Sequence, residues 1–254
     1  MYHGFMQGNR QPDLKLKPQS GRSFSGAPIG ILLVEADYAM LPGNVANASS
    51  YDFPVLYHVL KGVTFERIAA ADPSVLDVLI VGGQALIANG VRAVVSACGS
   101  FANYQRSASA ALSVPTYLSS MLQVPWIQAA LQPKQKLLVI AAVGKAITAK
   151  VYEECNITDT DRLLIEQAID VPEFAAMLSP EGFNPSKLES QLSEHARDLV
   201  KKHPEAGAIL LQCSDLPPFA WAIQNATGLP VYDMNSLISW VHAAAARQPY
   251  DGII

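Results

Sequence analysis

Short apolar runs alternate with longer stretches of mixed polarity along this chain. The runs at 29–35, 55–61, 91–97, 114–118, 137–143, 162–168, 208–212 and 231–232 predict β-strands. The run at 91–97 is apolar without alternation, the pattern of a parallel strand buried on both faces. Between the runs the period changes. Pro73 opens a helix with apolar positions at Val75, Leu76, Leu79, Ile80 and Leu86, and Asn89-Gly90 closes it as a left-handed cap. Further helices are predicted at 101–112, 120–131, 148–154, 187–203, 216–227 and 236–246. Strands and helices that alternate in this way build an α/β fold rather than segregated layers.

The pattern repeats. Residues 91–126 lie on 206–241 without a gap, so that Ala93 meets Ala208, Cys98 meets Cys213, Pro115 meets Pro230, Tyr117 meets Tyr232 and Leu122 meets Leu237. Each copy reads as an apolar run, a cysteine, two small or polar residues, a helical stretch, then Pro and Tyr. Both cysteines therefore stand at the carboxyl end of a strand and just before a helix, the edge where ligands gather in open α/β sheets. A helix start offers free N–H groups and partial positive charge, which is expected to lower the pKa of a nearby thiol and to hold a carboxylate. Two such halves face to face would set two sulfurs on opposite sides of one cleft. Proton exchange at a carbon beside a carboxylate needs a base on one face and an acid on the other, which a thiolate and a thiol can supply.

Composition narrows the possibilities. Half of the 254 residues are apolar and 16% are charged, enough for a sizeable core. The formal net charge of −4 and the lack of a basic patch argue against a nucleic-acid partner. No apolar run reaches the ~18 residues of a bilayer span. Residues 1–27 are rich in Gly, Pro and Gln and lack a signal peptide's apolar core, so a cytoplasmic location with reduced thiols is expected. Three cysteines, no C-x-x-C and scattered histidines predict neither a disulfide framework nor a metal site. No pyridoxal-lysine motif is present, and no cofactor is expected.

With these segments in view, the chain resembles the aspartate/glutamate racemase superfamily, which includes hydantoin racemases. The resemblance rests on residues 29–33, the loop Leu41-Pro42-Gly43-Asn44-Val45, residues 55–61, 91–100 and 210–237, and covers nearly everything from residue 28 onward. It implies two pseudo-symmetric three-layer α/β domains with mainly parallel sheets and an active site between them. On this sequence that gives an N-terminal extension at 1–27, a first domain at 28–118 plus 230–254 and a second at 119–229. It further implies a cofactor-free two-base mechanism with Cys98 and Cys213 as the catalytic pair, a small carboxylate-bearing substrate and a homodimer. The chain departs from the amino-acid racemases of this group at Gly99-Ser100, where they usually carry Asn-Thr, and at Ser214-Asp215, where Thr and then Glu or His are common. These departures point away from an amino-acid substrate more than from the acid–base chemistry.

Around the cysteines, Gly99, Ser100, Ser214 and Asp215 are expected to bind substrate through amides and hydroxyls, a role compatible with capping a helix. Asn44 lies in a long loop, 36–53, whose Pro-Gly-Asn is turn chemistry. Loops of this length are often functional, so Asn44 is a further substrate-binding candidate. Glu35 and Asp37 lie at the right sheet edge but fit solvent or salt-bridge duty better. Cys155 has no counterpart in the repeat and reads as structural. Trp126, Trp221 and Trp240 are expected in the core or at an interface. The leading expectation is a racemase or epimerase. Beside it stand a maleate isomerase-like enzyme with one nucleophilic cysteine, an arylmalonate decarboxylase-like enzyme that protonates an enolate from one side, and a non-catalytic sensor of small acids. A disulfide between Cys98 and Cys213 would leave no room for a substrate between them.

Overall fold

The structure is a computed structural model and describes residues 25–247; most of the N-terminal extension lies outside them. The first half runs β1 (Ile29–Leu33), β2 (Val55–Val59), α1 (Phe65–Ala69), α2 (Val75–Ala88), β3 (Ala93–Ala97), α3 (Gln105–Ala111), β4 (Thr116–Tyr117) and α4 (Val124–Ala130). The second runs β5 (Lys136–Ala141), α5 (Ala149–Glu154), β6 (Leu163–Gln167), α6 (Pro172–Ala175), α7 (Pro185–Lys202), β7 (Ala206–Leu211), α8 (Ala220–Thr227), β8 (Val231–Tyr232) and α9 (Met234–Ala245).

The strands form two four-stranded parallel sheets, ordered β2-β1-β3-β4 and β6-β5-β7-β8. The order is the same in both, as the repeat requires. The central strands are buried on both faces, and a period of two sorts their side chains. In the first sheet Leu32 and Val94 point to a core shared with α2, while Ile29, Ile31, Ala93 and Val95 point to the opposite one. In the second, Leu138, Ile140, Ile209 and Leu211 face α7 and α8, while Leu137, Val139, Ala141, Ala208 and Leu210 face the other side. Each sheet is thus the middle of three layers, and the expected two-domain α/β architecture is the one observed.

The halves exchange a helical segment. After β4, Met121, Val124 and Ile127 pack on Leu137 and Val139 of the second sheet. After β8, Met234, Leu237, Ile238 and Val241 of α9 pack on Ile29, Ile31, Ala93 and Val95 of the first. Four side chains buried at about 1.5–3 kcal/mol each make α9 a substantial part of the first half's core. A capping box starts α9: Asp233 Oδ1 accepts from the Ser236 amide at 2.7 Å and Ser236 Oγ accepts from the Asp233 amide at 3.0 Å. Gln123 Nε2 donates to the Asp233 carbonyl at 2.8 Å, tying the two crossings together. The expected second boundary, at 229/230, falls just before β8, which pairs with β7 in the second sheet; the chain joins the first sheet with α9.

Two expectations change. The helices predicted at 101–112 and 216–227 both open as 3₁₀ turns, Gly99–Tyr104 and Pro217–Phe219, before becoming α-helical. The tryptophans are not in the core: Trp221 is 72% exposed, and Trp126 and Trp240 lie against each other, half exposed, with ring centroids 4.5 Å apart. Cys155 is buried in the core below α5 and pushed up to about 12 by that burial, in keeping with a structural role. Among the described residues no helix is long and apolar enough to cross a membrane.

Candidate active site

Parallel strands end together, so the carboxyl edges of the two sheets present their following residues to one another. Cys98 follows β3 directly and continues extended, at φ −174°. Cys213 follows β7 after Gln212. Both thiols are free and open on one cavity of about 170 Å³. Its walls come from the strand ends of both halves: Val34, Ala36 and Tyr38 after β1, Val143 after β5, and Ile169, Phe174, Met177 and Leu178 after β6. Phe65 of α1 completes the wall, and Gly99, Ser100, Ser214 and Asp215 line the floor. The structure therefore brings together six of the seven site residues expected from sequence.

The seventh, Asn44, is buried at 3% exposure and does not line the cavity. It stands behind Asp215, to which its Nδ2 donates at 2.6 Å, while its Oδ1 takes the Ala46 amide at 2.8 Å. The loop is pinned for this task. Gly43 has φ +97°, and a Cβ there would lie 2.7 Å from the Pro218 Cα, so only glycine fits. Asn235 Nδ2 donates to the Gly43 carbonyl at 2.6 Å and the Val45 amide donates to the Ser214 carbonyl at 3.3 Å. The Pro-Gly-Asn sequence thus clamps the first half onto the second half's cysteine turn. Glu35 is elsewhere, in an exposed pair with Lys61 at 2.9 Å. Asp37 lines a neighbouring hollow together with Met177, Leu178 and Glu181.

The residue after each cysteine differs for a steric reason. A Cβ on Gly99 would sit 2.3 Å from Gln212 Nε2 and 2.4 Å from the Gln212 carbonyl oxygen. The halves approach so closely there that no side chain fits, which accounts for the glycine where related racemases carry asparagine.

The electrostatics reverse one expectation. The Ser100 amide and hydroxyl point at the Cys98 sulfur, and the Asp215 amide points at Cys213, and each of these amides favours a thiolate. Burial outweighs them. It raises both thiols, Cys98 to about 11 and Cys213 well above its ordinary value, and the Asp215 carboxylate adds to both shifts. The expected lowering by a helix start is absent because the turns are short and 3₁₀ while the desolvation is large.

Asp215 is the hub that the sequence did not reveal. Its Oδ1 accepts from Tyr38 Oη at 2.5 Å and from Asn44 Nδ2, and its Oδ2 faces the Cys213 thiol, which donates at 3.5 Å. Burial and the neighbouring carboxylate keep the Tyr38 phenol protonated, its pKa raised far above the ordinary value. Among the described residues, no lysine, arginine or histidine lines the cavity. Tyr38, Phe65, Phe174 and Met177 were all missed; only Tyr38, three residues past Glu35 at a strand end, carried a positional hint.

No family model matches the chain. Among solved structures the fold is similar to arylmalonate decarboxylase, with a TM-score of 0.56 and 15% identity over 88% of this chain and 94% of that one. It is also similar to allantoin racemase from Pseudomonas fluorescens, with a TM-score of 0.57 and 14% identity over 89% and 99%. A glutamate racemase from Bacillus anthracis is similar in fold as well, with a TM-score of 0.54 and 15% identity over 86% of this chain and 82% of that one. Sequence relatives are more specific. A dimethylsulfoniopropionate lyase from Durusdinium sp. clade D is 30% identical over 226 residues, covering 85% of this chain and 75% of the relative. Dimethylsulfoniopropionate lyase 5 from Emiliania huxleyi is 28% identical over 235 residues, 89% of this chain, which spans 47% of that relative's length. The chain belongs to the dimethylsulfoniopropionate lyase family.

Proposed function

We propose that this chain cleaves dimethylsulfoniopropionate, or a closely similar onium carboxylate, by β-elimination. The observation that carries the reading is the 30% identity to the Durusdinium lyase across most of both chains. The chemistry agrees with it. In (CH₃)₂S⁺–CH₂–CH₂–COO⁻ a base takes a proton from the carbon beside the carboxylate, the Cα–Cβ double bond forms, and the Cβ–S bond breaks. Dimethyl sulfide leaves neutral with the sulfur's electron pair, and acrylate and a proton remain. The first step is the one a racemase performs, removal of a proton next to a carboxylate. A leaving group on the next carbon turns the same intermediate towards elimination, so a racemase fold can carry a lyase without a change of frame.

Cys98 acts as the base. Ser100 donates to its sulfur from both amide and hydroxyl, whereas the Cys213 thiol faces the Asp215 carboxylate. The Gly99–Ser100 segment on the cavity floor holds the carboxylate and steadies the charge that builds as the proton leaves. The apolar walls, Val34, Phe65, Ile169 and Met177, suit a neutral thioether product. A single base suffices for elimination, and the departing sulfide needs no acid.

The test is direct. The purified chain, incubated with dimethylsulfoniopropionate, is expected to release dimethyl sulfide and acrylate in equal amounts, followed by gas chromatography and proton NMR. Neither product, with deuterium from D₂O entering the α-carbon of an amino acid or hydantoin instead, would overturn the lyase reading. That outcome would support the second reading, a two-base racemase, which the facing pair of thiols with matching amides favours.

A further inference from the structure

We infer that Asp215, backed by Tyr38 and Asn44, is the recognition site for the positively charged head of a zwitterionic substrate, with its carboxylate tail at the Gly99–Ser100 turn. The choice of an onium carboxylate rests on the lyase reading; the assignment of its charged ends rests on the geometry.

Three observations converge. The cavity is apolar apart from its floor, and among the described residues no lysine, arginine or histidine lines it. One carboxylate does line it, Asp215, and its negative charge reaches both thiols. Its Oδ1 is occupied by Tyr38 and Asn44, which fix the carboxylate's orientation and leave Oδ2 on the Cys213 side of the cavity. A carboxylate at a largely apolar cavity is costly unless a cation offsets it. Since the lining supplies no basic side chain, the cation that complements Asp215 is the substrate's own. Tyr38, Phe65 and Phe174 add aromatic surface of the kind that onium groups favour, and such groups have no N–H to demand a hydrogen-bond partner.

The repeat sharpens the assignment. Ser100 and Asp215 occupy the same position, two residues after each cysteine. One copy offers hydroxyl and amide donors to an anion; the other offers a carboxylate to a cation. A pair of equivalent positions has become the two poles of a dipole, matched to a molecule with opposite charges at its ends. Burial is the main cause that holds the thiols up, and such a cation would offset the further part that Asp215 adds, so binding itself would ease formation of the base.

Two ligands of nearly equal shape test this on the full chain: β-alanine betaine, whose head is trimethylammonium, and 4,4-dimethylpentanoate, its isostere with an uncharged tert-butyl head. Calorimetry is expected to show the betaine binding about tenfold more tightly to the wild type, the scale of one favourable charge contact in a sheltered site. Asp215→Asn is expected to bring that preference to about threefold or less while the isostere binds as before, which shows that the fold stands. The betaine, and not the isostere, is expected to bring out thiolate absorbance at lower pH. A preference unchanged in folded Asp215→Asn overturns the proposal. Equal affinities in the wild type overturn it too, so the test stands even should the variant not fold. Neither measurement requires turnover. A protein that prefers the betaine yet releases no dimethyl sulfide overturns the lyase reading and leaves this inference in place.

Discussion

The turn Cys98-Gly99-Ser100 and the turn Cys213-Ser214-Asp215 do the same structural work with different chemistry. Each follows the same strand of an equally ordered sheet, and each aims the amide two residues on at its cysteine sulfur. In one copy the side chain at that second position is a hydroxyl; in the other it is a carboxylate bonded to a phenol and an amide from the opposite half. A duplicated frame left symmetric would favour a reaction that runs alike in both directions, as racemisation does. Making one position acidic gives the cavity a polarity and sets a carboxylate against one thiol and a hydroxyl against the other.

The largest effect should come from the cysteines. Cys98→Ser is expected to lower kcat/KM for dimethyl sulfide release by about a thousandfold or more, the range for loss of a general base, and Cys213→Ser by about ten- to a hundredfold. Equal losses would restore the symmetric two-base picture. Next is the pH profile. With Cys98 pushed up to about 11, the thiolate fraction of the free protein grows with pH below that value. Hence kcat/KM is expected to rise about tenfold per pH unit through neutrality. A plateau in kcat/KM near neutral pH would show that an already ionised group is the base.

Steric asymmetry gives a third contrast. Gly99→Ala drives a methyl into Gln212 and is expected to cost about 1–3 kcal/mol, lowering Tm by several degrees, whereas Ser214→Ala at the matching position should stay within about 1 kcal/mol. Thermal unfolding followed by circular dichroism reads both, and equal shifts would mean that the halves meet less closely than described. The smallest effect is expected from Tyr38→Phe, which removes one hydrogen bond to Asp215. A three- to tenfold rise in KM, with kcat held within about twofold, corresponds to a bond of about 0.5–1.5 kcal/mol.

Much of this arrangement was legible in the sequence because it rests on repetition. The buried strands read as apolar runs, and the gapless alignment paired Cys98 with Cys213 and set both at strand ends. The Pro42-Gly43-Asn44 loop was legible as a turn in a long connection, though not its place behind Asp215, because contact between Asn44 and Asp215 joins residues 171 positions apart. The cavity wall was not legible. Phe65, Ile169, Phe174 and Met177 come from separate connections with no period, and they converge only once both sheets are built. The thiol pKa went the other way because local chain direction suggests a helix start, whereas desolvation depends on everything packed around the sulfur. An apolar spacing likewise says which residues share a face, not whether that face is covered, as the exposure of Trp221 in this chain shows.

The exchange of α4 and α9 has a consequence for how the protein is made. The first sheet's strands are complete by Tyr117, yet one of its faces stays bare until α9, starting at Met234, has been synthesised and folds back on it. The early half must therefore wait on the ribosome with an open apolar surface, and it reaches its final form only in the company of its duplicate. Cys213 itself comes late, so a chain halted in the first half holds only one of the two sulfurs that line the cavity.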